Sequence, residues 1–78
     1  MKVLFFAGCA EWMGRREVEI PVPSPLPLID LIRREPEFAP LLERLDVLKV
    51  AVNLKISGVD RIVGNGDEIA FFPPVSGG

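Results

Sequence analysis

The sequence predicts an α+β domain: a mixed sheet with one main helix packed on one face. Three observations carry this. Four segments have strand character, residues 2–7, 17–22, 48–56 and 67–72. A single clear helical stripe, residues 28–34, lies between the second and the third. Seventy-eight residues, 49% of them apolar, suffice for one domain around a small core.

Taken in order, residues 2–7 alternate, with Val3 and Phe5 on one face and Leu4 and Phe6 on the other. Residues 8–14 form a connection, with a short helical turn over 9–13. In residues 17–22, Glu17 and Glu19 oppose Val18, Ile20 and Val22, which marks a half-buried strand. Its short spacing from the first strand predicts an antiparallel hairpin. Pro21, Pro23, Pro25 and Pro27 then break the sheet, and Ser24 is a candidate to start the helix. Leu28, Ile29, Leu31 and Ile32 form the helical stripe, and Pro36 ends it. Residues 37–45 read as a second, shorter helical piece, kinked or started by Pro40. In residues 48–56, Val50, Val52 and Leu54 face one way; Lys49, Ala51, Asn53 and Lys55 face the other. Residues 57–66 are turn-rich, and residues 67–72 close the sheet with Ile69 and Phe71 inward.

The helix must be covered by one sheet face, and Val3, Phe5, Val18, Ile20, Val50, Val52, Ile69 and Phe71 supply it. Placing the last strand beside the first buries both Phe-rich segments. The result is the β-grasp, or ubiquitin-like, roll. Pairing the two terminal strands is an inference at the level of the fold; periodicity alone does not give it.

The organising stretch is Phe71-Phe72-Pro73-Pro74-Val75-Ser76-Gly77-Gly78. A strand pattern runs into two prolines, which lack the N–H needed to carry a ladder onward. Residues 73–78 therefore read as an extended tail on a single domain spanning 1–78. Its tip carries one functional group, the α-carboxylate of Gly78, ionised at neutral pH. Gly77 has no Cβ, so the tip can pass a channel that any other residue would block. A glycine-rich end is often idle, but an idle end has no use for a rigid proline spacer.

Composition excludes several functions. A net charge of −2, with no Lys/Arg cluster longer than a pair, offers no field for nucleic acid. No apolar run approaches the roughly 20 residues that span a bilayer, so no membrane role is expected. The run at 2–7 is too short for a signal peptide, and Glu11 and Trp12 stand where a cleavage site belongs. A lone Cys9 suits a reducing, cytoplasmic setting and reads as a structural residue. Histidine is absent, so histidine catalysis and histidine metal sites are excluded. Gly64-Asn65-Gly66 precedes a strand, which makes it a turn and not a phosphate loop. Glu17 with Glu19, and Asp67 with Glu68, do not form acid–base pairs. Trp12 reads as a loop residue lidding the core. Asn53 bonds either a neighbouring loop or a partner, and the sequence does not separate these.

The outward sheet face is more telling. Leu4, Phe6, Ala51, Ala70 and Phe72 lie on it by alternation, flanked by Lys49 and Lys55. Apolar patches rimmed by charge mark interfaces. The competing reading is a second small core covered by loops.

The tail, preceded by Gly66-Asp67-Glu68-Ile69-Ala70, resembles the small subunit of molybdopterin synthase, a ubiquitin-like sulfur carrier. Val3-Leu4-Phe5-Phe6-Ala7 and Ala51-Val52-Asn53 match as well. The resemblance implies that an E1-like adenylating enzyme uses ATP to activate Gly78. A sulfur donor protein then leaves a thiocarboxylate there. It implies that the tail enters a large catalytic subunit and passes sulfur to cyclic pyranopterin monophosphate, within a heterotetramer. The carrier itself is expected to be non-catalytic and to hold no permanent cofactor. Carried over residue by residue, Gly78 is the reactive group and Gly77 lets it pass. Phe6, Phe72, Pro73, Pro74, Val75 and Ser76 face the partners. The alternatives are a carrier for thiamine or cysteine biosynthesis, a ubiquitin-like modifier joined to protein lysines, and a plain interaction domain.

Overall fold

The computed structural model describes residues 1–74. Its elements are β1 (Lys2–Phe5), α1 (Gly8–Met13), β2 (Glu17–Glu19), β3 (Leu26–Pro27), α2 (Leu28–Arg34), a 3-10 turn (Pro36–Phe38), α3 (Ala39–Leu42), β4 (Lys49–Val52), β5 (Lys55–Ser57), β6 (Ile62–Val63) and β7 (Glu68–Phe72). The main sheet has the order β2-β1-β7-β4-β5, and β3 pairs with β6 in a small second sheet. β1 and β7 are parallel neighbours, in register from Lys2↔Glu68 to Phe5↔Phe71. Every other pairing is antiparallel. One helix-covered face on a mixed five-stranded sheet with parallel terminal strands is the β-grasp arrangement.

The inward face packs beneath α2 and α3. Val3, Ile69, Phe71, Val52, Leu28, Leu31, Ile32, Phe38 and Leu41 are all fully buried. At its centre Phe5 and Phe71, paired across β1 and β7, stack at 6.1 Å between centroids. Phe38 meets both edge-on, at 6.1 and 6.4 Å, in the geometry that aligns ring edges with ring faces. Val18, expected inside, is only half-buried, because β2 is the sheet edge.

Four expectations need correction. Residues 48–56 are not one strand. Asn53 and Leu54 have φ of 51° and 70°, the two-residue turn that matches strand twist, and they join β4 to β5. The turn resets the alternation. Val52 pairs with Lys55 and Ala51 with Ile56, so Lys55 edges the helix-side face and Ile56 faces outward. Leu54, expected in the core, is 90% exposed at the turn. Ser24 does not start α2. The helix begins after Pro27, and its first amides are satisfied by backbone carbonyls: Leu28 N donates to Arg61 O at 2.8 Å and Ile29 N to Val59 O at 2.7 Å. The stretch 57–66 therefore supplies a cap and a short strand, β6, as well as turns. Trp12 sits on α1, not in a loop.

The turn from β1 into α1 is strained. Phe6 O accepts from Cys9 N at 3.0 Å across Ala7 and Gly8. Ala7 holds φ 49° and ψ −127°, the first central position of a type II′ turn, which glycine favours. Such a residue costs about 1–3 kcal/mol, and glycine loses about 0.5–1 kcal/mol through the unfolded chain. Ala7 is exposed, so its methyl contributes no burial. Ala7→Gly is expected to stabilise the domain by about 1 kcal/mol, read as a thermal midpoint about 4 °C higher or more. An unchanged or lowered midpoint would show the turn to be relaxed.

Candidate functional site

β7 delivers the chain to the tail from the middle of the sheet, bonded to β1 on one side and β4 on the other. Its last residue, Phe72, pairs with Lys49. Pro73 follows and is half-buried; Pro74 is exposed. Without N–H groups neither extends a ladder, so strand pairing stops where the tail begins. Val75, Ser76, Gly77 and Gly78 lie outside the described residues.

Phe6 leaves β1 at the same end of the sheet. Its N–H donates to Phe71 O at 3.0 Å, which seats it beside Phe72, and its ring is 50% exposed. The outward rows follow from the registers. Leu4, Ala70, Ala51 and Ile56 stand side by side across β1, β7, β4 and β5. Two alanines in the middle leave a low floor between Leu4 and the 76% exposed Ile56. Ionic residues rim this face: Glu17 opposite Leu4, Lys2 opposite Glu68 and Lys49 opposite Phe72. No loop of the described residues covers Phe6 or Ile56. Beside Phe6 lies an open hollow of about 410 Å³, lined by Leu4, Phe6, Ala7, Ala10, Glu11 and Arg16 among others. Sequence alternation placed Leu4 and Phe6 but missed this hollow, because α1 and the start of β2 complete it. It also missed Ile56, which reaches the outer face only through the β4–β5 turn.

The opposite end of the sheet is tied down. Asn53 Nδ2 donates to Asp67 Oδ1 at 2.8 Å, and Asn53 Oδ1 accepts from Glu68 N at 2.9 Å. Gly64 N donates to Asp67 Oδ2 at 2.7 Å. Asn53 thus bonds the loop before β7. These donors, the Asn53 amide foremost, hold the Asp67 carboxyl below its usual range. A depressed folded value means that this contribution is full above the unfolded pKa and fades as pH falls through the folded one.

Cys9 is fully buried, and burial raises its thiol to about 11, with Arg44 pulling weakly the other way. It is protonated at neutral pH and shut off from reagents, so it is a packing residue and not a sulfur relay. Glu17 and Glu19 are exposed on the edge strand β2. Among the described residues no three His, Cys, Asp or Glu side chains gather into a metal site. No helix among them is long and apolar enough to cross a membrane.

Known proteins are similar to this chain in sequence and in fold. The molybdopterin synthase sulfur carrier subunit of Escherichia coli (strain K12) is 37% identical over 83 residues, covering 100% of this chain and 99% of its own length. Among solved structures, small archaeal modifier protein 1 of Haloferax volcanii superposes with a TM-score of 0.81 at 30% identity, over 100% of this chain and 98% of that one. A chain in the complex of subunits 1 and 2 of molybdopterin-converting factor from Helicobacter pylori superposes with a TM-score of 0.60 at 25% identity, covering 99% of this chain and 96% of its own. The model of the ThiS family matches residues 3–78, and the chain belongs to that family.

Proposed function

We propose that the chain is the sulfur carrier of molybdopterin synthase, with Gly78 as the group that bears the sulfur. The observation that carries the reading is the union of a centrally held strand, a proline spacer at its end and an apolar face with Phe6 and Ile56 exposed and Phe72 half-buried. Full-length likeness to a molybdopterin synthase sulfur carrier subunit supports it.

A carboxylate is a poor acyl donor until one oxygen becomes a leaving group. An E1-like enzyme would supply this with ATP. The Gly78 carboxylate attacks the α-phosphorus, pyrophosphate leaves, and an acyl-adenylate remains. A persulfide on a donor protein then attacks the carbonyl and displaces AMP, and a second thiol cleaves the resulting acyl disulfide, forming a disulfide on the donor and releasing the thiocarboxylate. Inside the large subunit that sulfur passes to cyclic pyranopterin monophosphate, and two such transfers build the dithiolene. The carrier contributes position and an unhindered carbonyl; the remaining catalytic groups belong to its partners. The ATP is consumed by the activating enzyme and is not a bound cofactor of this chain.

Phe6, Phe72 and the alanine-floored row form the docking face in this reading. Removing an aromatic anchor from an interface centre costs about 2 kcal/mol or more. Phe6→Asp is therefore expected to weaken binding to the large subunit by roughly 30-fold while the domain stays folded, since Phe6 is half exposed. Titration calorimetry beside a thermal melt checks it. Unchanged affinity would move the partner surface elsewhere.

The likeness to a small archaeal modifier protein favours a second reading, conjugation of Gly78 to protein lysines. Mass spectrometry of the C-terminal peptide, isolated from the native host, separates the two. Replacement of one terminal oxygen by sulfur supports the carrier. A Gly78–lysine isopeptide supports the modifier. An unmodified terminus that the activating enzyme does not adenylate sinks both.

A further inference from the structure

Pro73 is the first residue beyond the sheet, and it rests in a seat built by α1. Gly8 opens that helix and Trp12 follows one turn later on the same side. A β-carbon on Gly8 would stand 3.9 Å from Pro73 Cγ and 3.9 Å from Trp12 Cζ2. The proline ring and the indole therefore flank one small hollow, left open because Gly8 has no side chain. Trp12 is half-buried and packs against the core. The Arg44 guanidinium lies over its ring, 4.7 Å from the centroid. Arg44 is itself anchored, donating from Nη1 to Pro40 O at 2.9 Å. The Arg44–Trp12 pair thus ties α3 to one wall of a hollow whose other wall is the ring of Pro73, at the root of the tail.

We propose that Trp12, clamped by Arg44, is a positioning residue that seats Pro73 and sets the direction in which the chain leaves β7. A residue already ordered before docking need not be ordered by the partner, so the seat strengthens association. The proposal rests on the tail being the working end, as the carrier reading holds. Trp12 touches no reacting atom in it; it acts through Pro73.

The test is a double-substitution cycle on the full chain, read as affinity for the large subunit. Trp12→Ala is expected to raise Kd by about 5-fold, the order of one freed residue. Pro73→Ala is expected to do the same, and the pair together no more than either alone. Trp12→Phe, which keeps a ring in place, should stay within about 2-fold of the parent. Because Trp12→Ala also removes core packing, Gly8→Leu provides a second route. It keeps the Trp12 side chain; its β-carbon fits at ordinary contact distance, but the rest of the leucine overfills the hollow and should cost a similar factor by parting the proline from the indole. Additive losses in the cycle, or unchanged Kd in Trp12→Ala and Gly8→Leu, would overturn the positioning role.

A partner-free measurement separates this from the carrier reading. Trp12 is the only tryptophan and the chain has no tyrosine, so its emission reports on the seat alone. Pro73→Ala should increase acrylamide quenching of Trp12. Unchanged quenching overturns the seat even if sulfur transfer proceeds through Gly78. Increased quenching beside a Gly78 deletion that still transfers sulfur would keep the contact, remove the carrier reading, and take the positioning role with it.

Discussion

Deleting Gly78, or adding a residue after it, is expected to abolish sulfur transfer while the thermal midpoint stays in place. An extended chain advances about 3.3–3.6 Å per residue, so one residue more or fewer displaces the carbonyl by that order. Attack requires the reacting atoms within about 3–3.5 Å, and misplacement by about 1 Å alone can cost 100-fold. The expected loss is therefore at least about 100-fold in both adenylation and transfer. Stability should change by no more than about 0.5 kcal/mol, the range of surface changes generally. Gly77→Val should fail differently. Its carboxylate stays in register, but in the carrier reading a branched side chain must enter a passage that glycine enters without one. Pyrophosphate release with the activating enzyme and sulfur delivery to the pterin are the two assays. Normal rates in the deletion variant would remove Gly78 from the chemistry.

The largest effect on stability is expected at Phe38. Its ring is fully buried and touches Phe5 and Phe71, the pair that joins the two terminal strands. Phe→Ala in a core costs about 3–5 kcal/mol, from lost transfer energy and the cavity left behind. A domain of this length has a total of only about 4–12 kcal/mol. Phe38→Ala should lower the thermal midpoint by at least about 12 °C, and the weaker end of that range leaves the domain partly unfolded at 37 °C. A calorimetric scan decides. A shift of only a few degrees would mean that the aromatic cluster repacks around the gap.

Phe38 also shows where sequence reasoning reaches its limit. The strand faces were legible because alternation has period two, and Val3, Phe5, Val50, Val52, Ile69 and Phe71 all lie buried as their spacing requires. Phe38 sits in a 3-10 turn between two short helices, where no regular period marks an inward side chain. The Asn53–Leu54 turn was hidden for a related reason. Leucine at φ 70° is unfavourable and stands where this turn favours glycine, so the second turn position did not announce it, and the apolar run 48–56 read as continuous. The isolated Asn in that run was the one available signal. At the candidate site, Phe6 and Phe72 were accessible to alternation, and the proline spacer was visible as residue types. The Trp12–Pro73 seat was not, because it joins residues some sixty positions apart through a hollow that only three-dimensional packing creates.

The placement of β7 has a mechanical consequence. Any partner that draws the tail into a channel pulls along the axis of this strand. β7 is bonded on both sides, in parallel with β1 and antiparallel with β4. Traction at its end loads both rows of hydrogen bonds in shear, sharing the force among them, where an edge strand pulled sideways would unzip one bond at a time. β1 and β7 run the same way, so tension between the two termini also falls on their shared ladder lengthwise. A domain built this way can be pulled by its end with the load divided between two ladders, and none of it falling on an edge strand.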